Sequence, residues 1–585
     1  MKKLLSMVIA AGALLGAQAH AADEFDLKIF HVNDSHSYVE PVNTFLTIDN
    51  DKYLAQIGGM NAILNYMNTH SEGNVLRLHG GDFQTGNGTY FNYYHGRDDY
   101  EILKELKFEA VVIGNHEFDY GNDFLAELVA GLKSGKNAMK VLSANLKVPF
   151  ENRLTPMVDE YVILERGGEK IAVIGITSGD KVNASSKPDK GTFFTNEADT
   201  INKLVAELQK QGINKFIALT HQGVENDIPM ASKVHGIDVW ITADSHTVMG
   251  HQLHKLGVPT ELDYPEMAKN LDGNNACIVQ AGSTGAILGE LNVKFDKDGN
   301  VIKCDGAPQI IISSLQTANA EELDPKKKEA AMKEFSKLDF VSFYDPKKDP
   351  SSELINGYIN ETHSRLQYLG TNNNALCQTR VPGEVCLFTQ TEQIHGCEVC
   401  TSLSYILAKK YPGAIILQNA GNYRTFMWPG KIYNSDVNNV LAFANNLVSL
   451  EINGEELEKL IDSGIESYTK NPSRDGSFPT GYGVRFDLDY NVTDGKFISN
   501  LEYRSADGWV PVKKDQKYTV IVNEYIATGA DGYGYLKTLI DDPSHNAKDL
   551  GQTISYETIE VLKKDPKIDK LPASEMFVQK LTLKK

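Results

Sequence analysis

Ala110-Val111-Val112-Ile113-Gly114-Asn115-His116-Glu117-Phe118-Asp119 is a short apolar run closed by a glycine and followed by polar side chains. Such a run predicts a buried strand. The residues beyond the glycine carry amide, imidazole and carboxylate groups, which bind metals and move protons. In open α/β sheets, ligand sites gather just past the carboxyl ends of strands. The stretch therefore predicts a layered α/β fold with its chemistry at the strand ends.

The same arrangement recurs on both sides. A strand over 27–32 leads into Asn33-Asp34-Ser35-His36, and one over 75–78 into Gly80-Gly81-Asp82. Strands over 216–219 and 239–241 lead into Thr220-His221-Gln222-Gly223 and Ala243-Asp244-Ser245-His246. Helical spacing over 59–67, 100–106 and 197–211, with a further strand over 171–176, completes the α/β alternation. Residues 291–311 then read as a hairpin turning at Asp298-Gly299-Asn300. The lysine-rich stretch 321–337 predicts a solvated connector helix, and 345–350 a loop. A second α/β or α+β unit follows. The expected organisation is a leader over 1–21, a first unit over 22–320, a connector over 321–351 and a second unit over 352–585.

Met1-Lys2-Lys3, an apolar stretch to Ala17 and Ala19-His20-Ala21 make a secretory signal pattern cleaved after Ala21. The apolar run falls short of the ~20 residues that span a bilayer. No later segment is long and apolar enough either, so no membrane span is expected, and export to the periplasm is. The net charge of −19 argues against a nucleic acid polymer as partner, which calls for a basic surface. A small anionic substrate stays open. Six cysteines in an exported chain permit disulfides. Cys377 with Cys386 and Cys397 with Cys400 are candidate local pairs and Cys277 could meet Cys304, the pairing staying open; Cys397-x-x-Cys400 reads as a bridge or two buried thiols before a metal or redox pair.

D-x-H, G-D, G-N-H-E-F-D, a later histidine and a final x-x-H resemble the metallophosphoesterase signature. In this form they are similar to the bacterial periplasmic 5′-nucleotidase and UDP-sugar hydrolase family. The resemblance implies a metallophosphoesterase sandwich and a centre of two divalent ions, zinc, manganese or magnesium. It makes Asp82 the bridging ligand, with Asp34, His36 and His246 at one position and Asn115, His221 and Asp244 at the other. It makes His116 and Asp119 a catalytic pair, whereas the residues alone also allow Asp119 to cap the next helix. Across the second half, Asn419-Ala420-Gly421-Asn422-Tyr423-Arg424 resembles the N-G-G-x-R element, with the arginine one residue late. Ala442-Phe443-Ala444-Asn445 resembles P-F-x-N, and the stretch from Tyr525 to Tyr533 resembles F-x-x-x-G-G-D-G-Y. The resemblance implies that Phe443 and Tyr525 sandwich a nucleobase, Asn445 reaches its edge, Asp531 accepts ribose hydroxyls, and Asn419 and Arg424 serve the phosphate end.

The expected substrate is a small-molecule nucleotide, a nucleoside 5′-monophosphate first of all. A 2′,3′-cyclic nucleotide phosphodiesterase with 3′-nucleotidase activity and a non-catalytic nucleotide-binding protein are the alternatives. Two departures from the family pattern stand out. Asp244 occupies a place that usually holds histidine, which tilts the donor set toward manganese or magnesium. Thr389 occupies the place of a usual arginine, for which Arg380 is the candidate substitute.

Overall fold

The computed structural model describes residues 24–583 apart from 319 and 387–390. The signal pattern and Thr389 lie outside the described residues.

Period-two alternation builds the first unit. Leu76 and Leu78 of strand Val75–His79, and Ala110 and Val112 of strand Ala110–Val112, face one core. Val111 faces the opposite one, with Ile113 just beyond the strand. Strand Glu24–Val32 splits likewise, Leu27 and Ile29 to one side and Phe30 and Val32 to the other. A strand that buries both faces must lie in a middle layer.

Two sheets result. Glu24–Val32 runs parallel to Val75–His79, which runs parallel to Ala110–Val112 and then Lys140–Leu142. The hairpin strands Leu288–Asp296 and Val301–Thr317 extend this sheet antiparallel, as the sequence predicts. In the second sheet Glu169–Thr177, Phe216–His221, Val239–Ile241 and Asn275–Val279 are parallel neighbours. The sheets share the core of Ile29, Leu78, Val112, Val173 and Ile217. Helix Glu197–Gln209 covers the outer face of one sheet through Ile201, Leu204 and Leu208. Helices Met60–Thr69 and Gly121–Leu132 cover the other. The layers are α-β-β-α.

The second half is built on a five-stranded sheet among the described residues, in the order Pro479–Tyr482, Ile415–Asn419, Lys517–Asn523, Asn446–Asn453, Lys548–Thr553. Helix Gly454–Lys470 starts in a capping box of Asn453 and Glu456 and packs Leu457, Leu460 and Ile461 on one face. Helix Glu398–Ala408 packs Val399, Leu403 and Ile406 on the other.

Packing shifts two expectations. The connector helix, Pro325–Phe335, is not solvated on every side. Its Phe335 is fully buried with Leu46, Ala55 and Phe340, and Ala331, four residues earlier on the same helix face, is buried beside it. Helix Glu353–Ser364, expected to open the second unit, instead buries Ile355 and Tyr358 in the first unit's core. Tyr358 also donates to Glu101 at 2.7 Å, and Ser352 to Glu105 at 2.8 Å.

The six cysteines pair as Cys277–Cys304, Cys377–Cys386 and Cys397–Cys400, with Cα separations of 6.4, 6.0 and 5.3 Å. The reading of Cys397-x-x-Cys400 as a metal site is thereby corrected: its sulfurs are bonded to each other.

The halves meet where helix Gly88–Tyr94 lies on helix Asn434–Val440. A β-carbon at Gly88 would stand 2.2 Å from the Asn438 carbonyl oxygen, so the approach requires glycine. Phe45 of the first half meets Trp428 of the second edge to face at 5.7 Å.

Phe335→Ala removes the anchor of the connector helix. It should cost about 3–5 kcal/mol of stability, read as a lower melting temperature of the first unit in differential scanning calorimetry.

Candidate metal centre and substrate cleft

The five strand-end loops converge. Asp34, His36 and His246 place one ligand atom each within 4.8 Å of one another, and so do Asp34, Asp82 and His221. His221 Nε2 lies 3.2 Å from Asp82, 4.0 Å from Asp34 and 3.8 Å from Asp244. His246 Nε2 lies 3.4 Å from Asp34 and 3.1 Å from His36 Nε2. The backbone works for this convergence. Asp34, His36, Asp82, Asp244 and His246 all sit at left-handed φ, between 48° and 80°. Non-glycine residues adopt that region at a cost of ~1–2 kcal/mol each, and such strain collects at functional sites.

Hydrogen bonds aim the ligands. His36 Nδ1 donates to the Thr85 carbonyl and His221 Nδ1 to the Gly80 carbonyl, each at 2.7 Å. Both Nε2 lone pairs therefore point inward, as in metal-binding histidines whose other nitrogen is anchored. Glu117 fixes the loops by accepting from the backbone N–H groups of Asp82 and Phe83, each at 3.0 Å, and of Gly114 at 2.7 Å. Burial and the Asp82 carboxylate push the Glu117 carboxyl up to about 8, and the N–H donors pull it back. Gly114 is obligatory, since a β-carbon there would stand 2.2 Å from Asp82 Oδ1.

The donor set fits two divalent ions. Asp34 Oδ1, Asn115 Oδ1 and His221 Nε2 are buried with no hydrogen-bond partner. Buried polar atoms are almost always satisfied; those of Asp34 and His221 lie in the carboxylate–imidazole cluster, and Asn115 lines the same cleft as Asp82. Oxygen and imidazole donors suit zinc or manganese.

His116 Nδ1 stands 2.7 Å from Asp119 Oδ2. The next helix, Gly121–Leu132, starts at Tyr120 without a side-chain cap, so Asp119 serves His116 and not the helix. Burial works against the His116 cation, but Asp119 and Asp82 outweigh it and raise its pKa.

One cleft joins this centre to the second half. Asp82, Asn115, His116, Asp119, Asp244 and His246 line it from one side. Asn419, Arg424, Phe443, Asn445, Tyr525 and Asp531 line it from the other. The Phe443 ring stacks toward His116 at 6.1 Å, with the Arg424 guanidinium 5.6 Å from its centroid. Asp531 accepts from Asn419 Nδ2 at 2.7 Å and from the Tyr525 hydroxyl at 3.2 Å. Arg380 lines the same cleft beside Arg424.

Sequence reasoning missed Lys181, whose Nζ lies 3.2 Å from Asp244 Oδ1. The Asp244 carboxylate, ahead of the opposing effect of burial, raises the Lys181 pKa. Its signal was the end of strand Glu169–Thr177, a parallel neighbour of the strand that ends in His221. It also missed Glu117, whose place inside G-N-H-E-F-D was the clue.

A layered sandwich with this donor set at its strand ends defines a metal-dependent phosphoester hydrolase. Residues 27–248 match the calcineurin-like phosphoesterase family and residues 382–538 the 5′-nucleotidase C-terminal domain. The chain is 30% identical over 537 residues to a probable 5′-nucleotidase of Treponema pallidum, covering 89% of each chain. It is also 30% identical over 604 residues to the NAD 5′-nucleotidase of Haemophilus influenzae, covering 98% of this chain and 97% of that one. The crystal structure of a 5′-nucleotidase precursor from Thermus thermophilus superposes with a TM-score of 0.75 at 27% identity, covering 95% and 99%. The chain belongs to the 5′-nucleotidase family, and its chemistry is the hydrolysis of nucleotide phosphoesters.

Glu117→Gln sets an amide donor against backbone N–H groups. It should cost about 1–3 kcal/mol and lower divalent-ion affinity together with the melting temperature of the metal-free protein.

Proposed function

We propose that the protein is an exported 5′-nucleotidase that splits nucleoside 5′-monophosphates into nucleoside and phosphate. The observation that carries this reading is the single cleft running from the paired carboxylates to Phe443, Tyr525 and Asp531. Two divalent ions would be held with Asp82 shared between them, Asp34, His36 and His246 serving one position and Asn115, His221 and Asp244 the other. The oxygen-rich second position favours manganese or magnesium over zinc. When bound, the ions supply Lewis acidity toward the phosphoryl oxygens and a water of lowered pKa.

The chain's own residues do the rest. Arg424, with Arg380 beside it, holds phosphate oxygens through a planar, multiply donating guanidinium. Phe443 and Tyr525 take the base between flat faces, a contact of about 1–3 kcal/mol. Asn445 meets the base edge, Asn419 orients Asp531, and Asp531 accepts from the ribose. His116, oriented by Asp119 through Nδ1, presents Nε2 to the leaving oxygen and gives it a proton. The three disulfides and the signal pattern support an oxidising, exported location. We further propose a first domain that extends through helix Glu353–Ser364, on the packing described above.

A second reading, cleavage of a dinucleotide phosphoanhydride, has one observation behind it. A second cleft reaches His36, His246, Arg380 and Arg424 and is walled by Phe45, Phe426 and Trp428. A two-armed substrate fills both clefts and a monophosphate only one. The NAD 5′-nucleotidase of Haemophilus influenzae is a relative over nearly the whole length.

Metal-stripped protein should regain phosphate release from AMP on adding manganese, and His116→Ala should lose about 100- to 10,000-fold in kcat. Faster turnover of 3′-AMP or 2′,3′-cyclic AMP would replace the 5′ assignment, and inertness toward all three would overturn the enzyme reading. Trp428→Ala should raise KM for NAD while leaving KM for AMP within about twofold, because a lost stacking face costs roughly 1–3 kcal/mol. Equal effects on both substrates would remove the second reading.

A further inference from the structure

Asp244 adds a third carboxylate to a centre that already gathers two. Aspartate where the family pattern has histidine adds a negative charge beside Asp34 and Asp82, and all three carboxylates lie within 4.0 Å of His221 Nε2. Like charges gathered in a buried site repel one another strongly. Lys181 answers this charge directly, at 3.2 Å from Asp244 Oδ1.

Its placement is built into the fold. The Ser178 N–H donates to the carbonyl of His221 at 2.9 Å, and the Ser178 hydroxyl accepts from the Lys181 N–H at 3.3 Å. The helix that carries Lys181, Gly179–Ser185, therefore starts tied to the neighbouring strand end that carries His221. Asp244 itself is held from its other side, its N–H donating to Asp34 Oδ2 at 3.1 Å. A lysine ammonium is a compact charge on a flexible stem that can withdraw, whereas a bidentate arginine would be harder to displace.

We infer that Lys181 is a positioning residue that holds the Asp244 carboxylate in the metal-free centre and competes with a divalent ion for it. The inference rests on the ligand assignment proposed above. Two consequences follow from simple electrostatics. Lys181 stabilises the metal-free centre by standing in as a cation. It also repels the ion entering beside Asp244, so that this position binds more weakly than the one formed by Asp34, His36 and His246.

Titration of the metal-free mature protein with Mn²⁺ alone, followed by calorimetry, separates the two claims. Wild type should take up two ions of unequal affinity, and Asp244→Asn should weaken the lower-affinity one. A single ion in wild type, or no effect of Asp244→Asn, would sink the ligand assignment and the inference with it. Lys181→Met should tighten the weaker ion at least ~10-fold, equivalent to about 1.4 kcal/mol, and lower the melting temperature of the metal-free protein. Lys181→Arg keeps the charge and should hold the metal-free melting temperature near wild type. In an Asp244→Asn background, loss of Lys181 should change Mn²⁺ affinity by less than about twofold, the signature of a coupled pair. If Asp244→Asn behaves as expected but Lys181→Met leaves the weaker affinity unchanged or reduces it, the inference about Lys181 fails and the ligand assignment stands.

Discussion

The structure depends on repulsion that is held in place. Asp34, Asp82 and Asp244 carry their charges to one buried point, which a folded chain tolerates only when cations meet them there. Much of the surrounding architecture serves that point. Five ligand residues accept left-handed backbone, Glu117 ties two loops through their N–H groups, and carbonyl oxygens lock His36 and His221 with Nε2 turned inward. The left-handed backbone costs stability locally, and the hydrogen bonds offset it by holding the loops in the geometry that ions need. The cores on either side of the sheets, well filled by aliphatic residues, supply the stability that the centre draws on.

The sheet architecture and the metal-facing residues were legible because each rests on a local signal. A strand in a middle layer reads as a short apolar run, and the ligand types stand immediately after it in the chain. Asp34, Asp82, Asn115, His221 and Asp244 all follow that rule. The chemistry of the second half was less legible from residues alone, since Phe443 and Tyr525 look like core aromatics until the fold turns them to a cleft. Their reading came from the motifs around them.

Other features were invisible for physical reasons. An amphipathic pattern tells that a helix docks but not where, so helix Glu353–Ser364 was assigned to the half that follows it in sequence. Phe335 and Ala331 are few among the charges of 321–337, and nothing in that spacing says which core they join. Lys181 sits near a helix start, where a lysine reads as solvated, and its partner is 63 positions away in the chain. Arg380, by contrast, was legible as the substitute for a usual arginine, and the fold brings it into the cleft beside Arg424.

The disulfide Cys277–Cys304 joins a strand of one sheet to a strand of the other. Cys277 stands opposite Val239, at the beginning of the strand that ends in the Asp244 loop. The first sheet brings Asp34, His36, Asp82 and Asn115 to the centre, and the second brings His221, Asp244 and His246. The sandwich is therefore like a book bound at the spine: the covalent stitch lies at one edge, and the ligands facing each other across the pages lie at the fore-edge. The register of the ligands across the fore-edge is therefore set by a covalent stitch at the spine as well as by the aliphatic core between the pages.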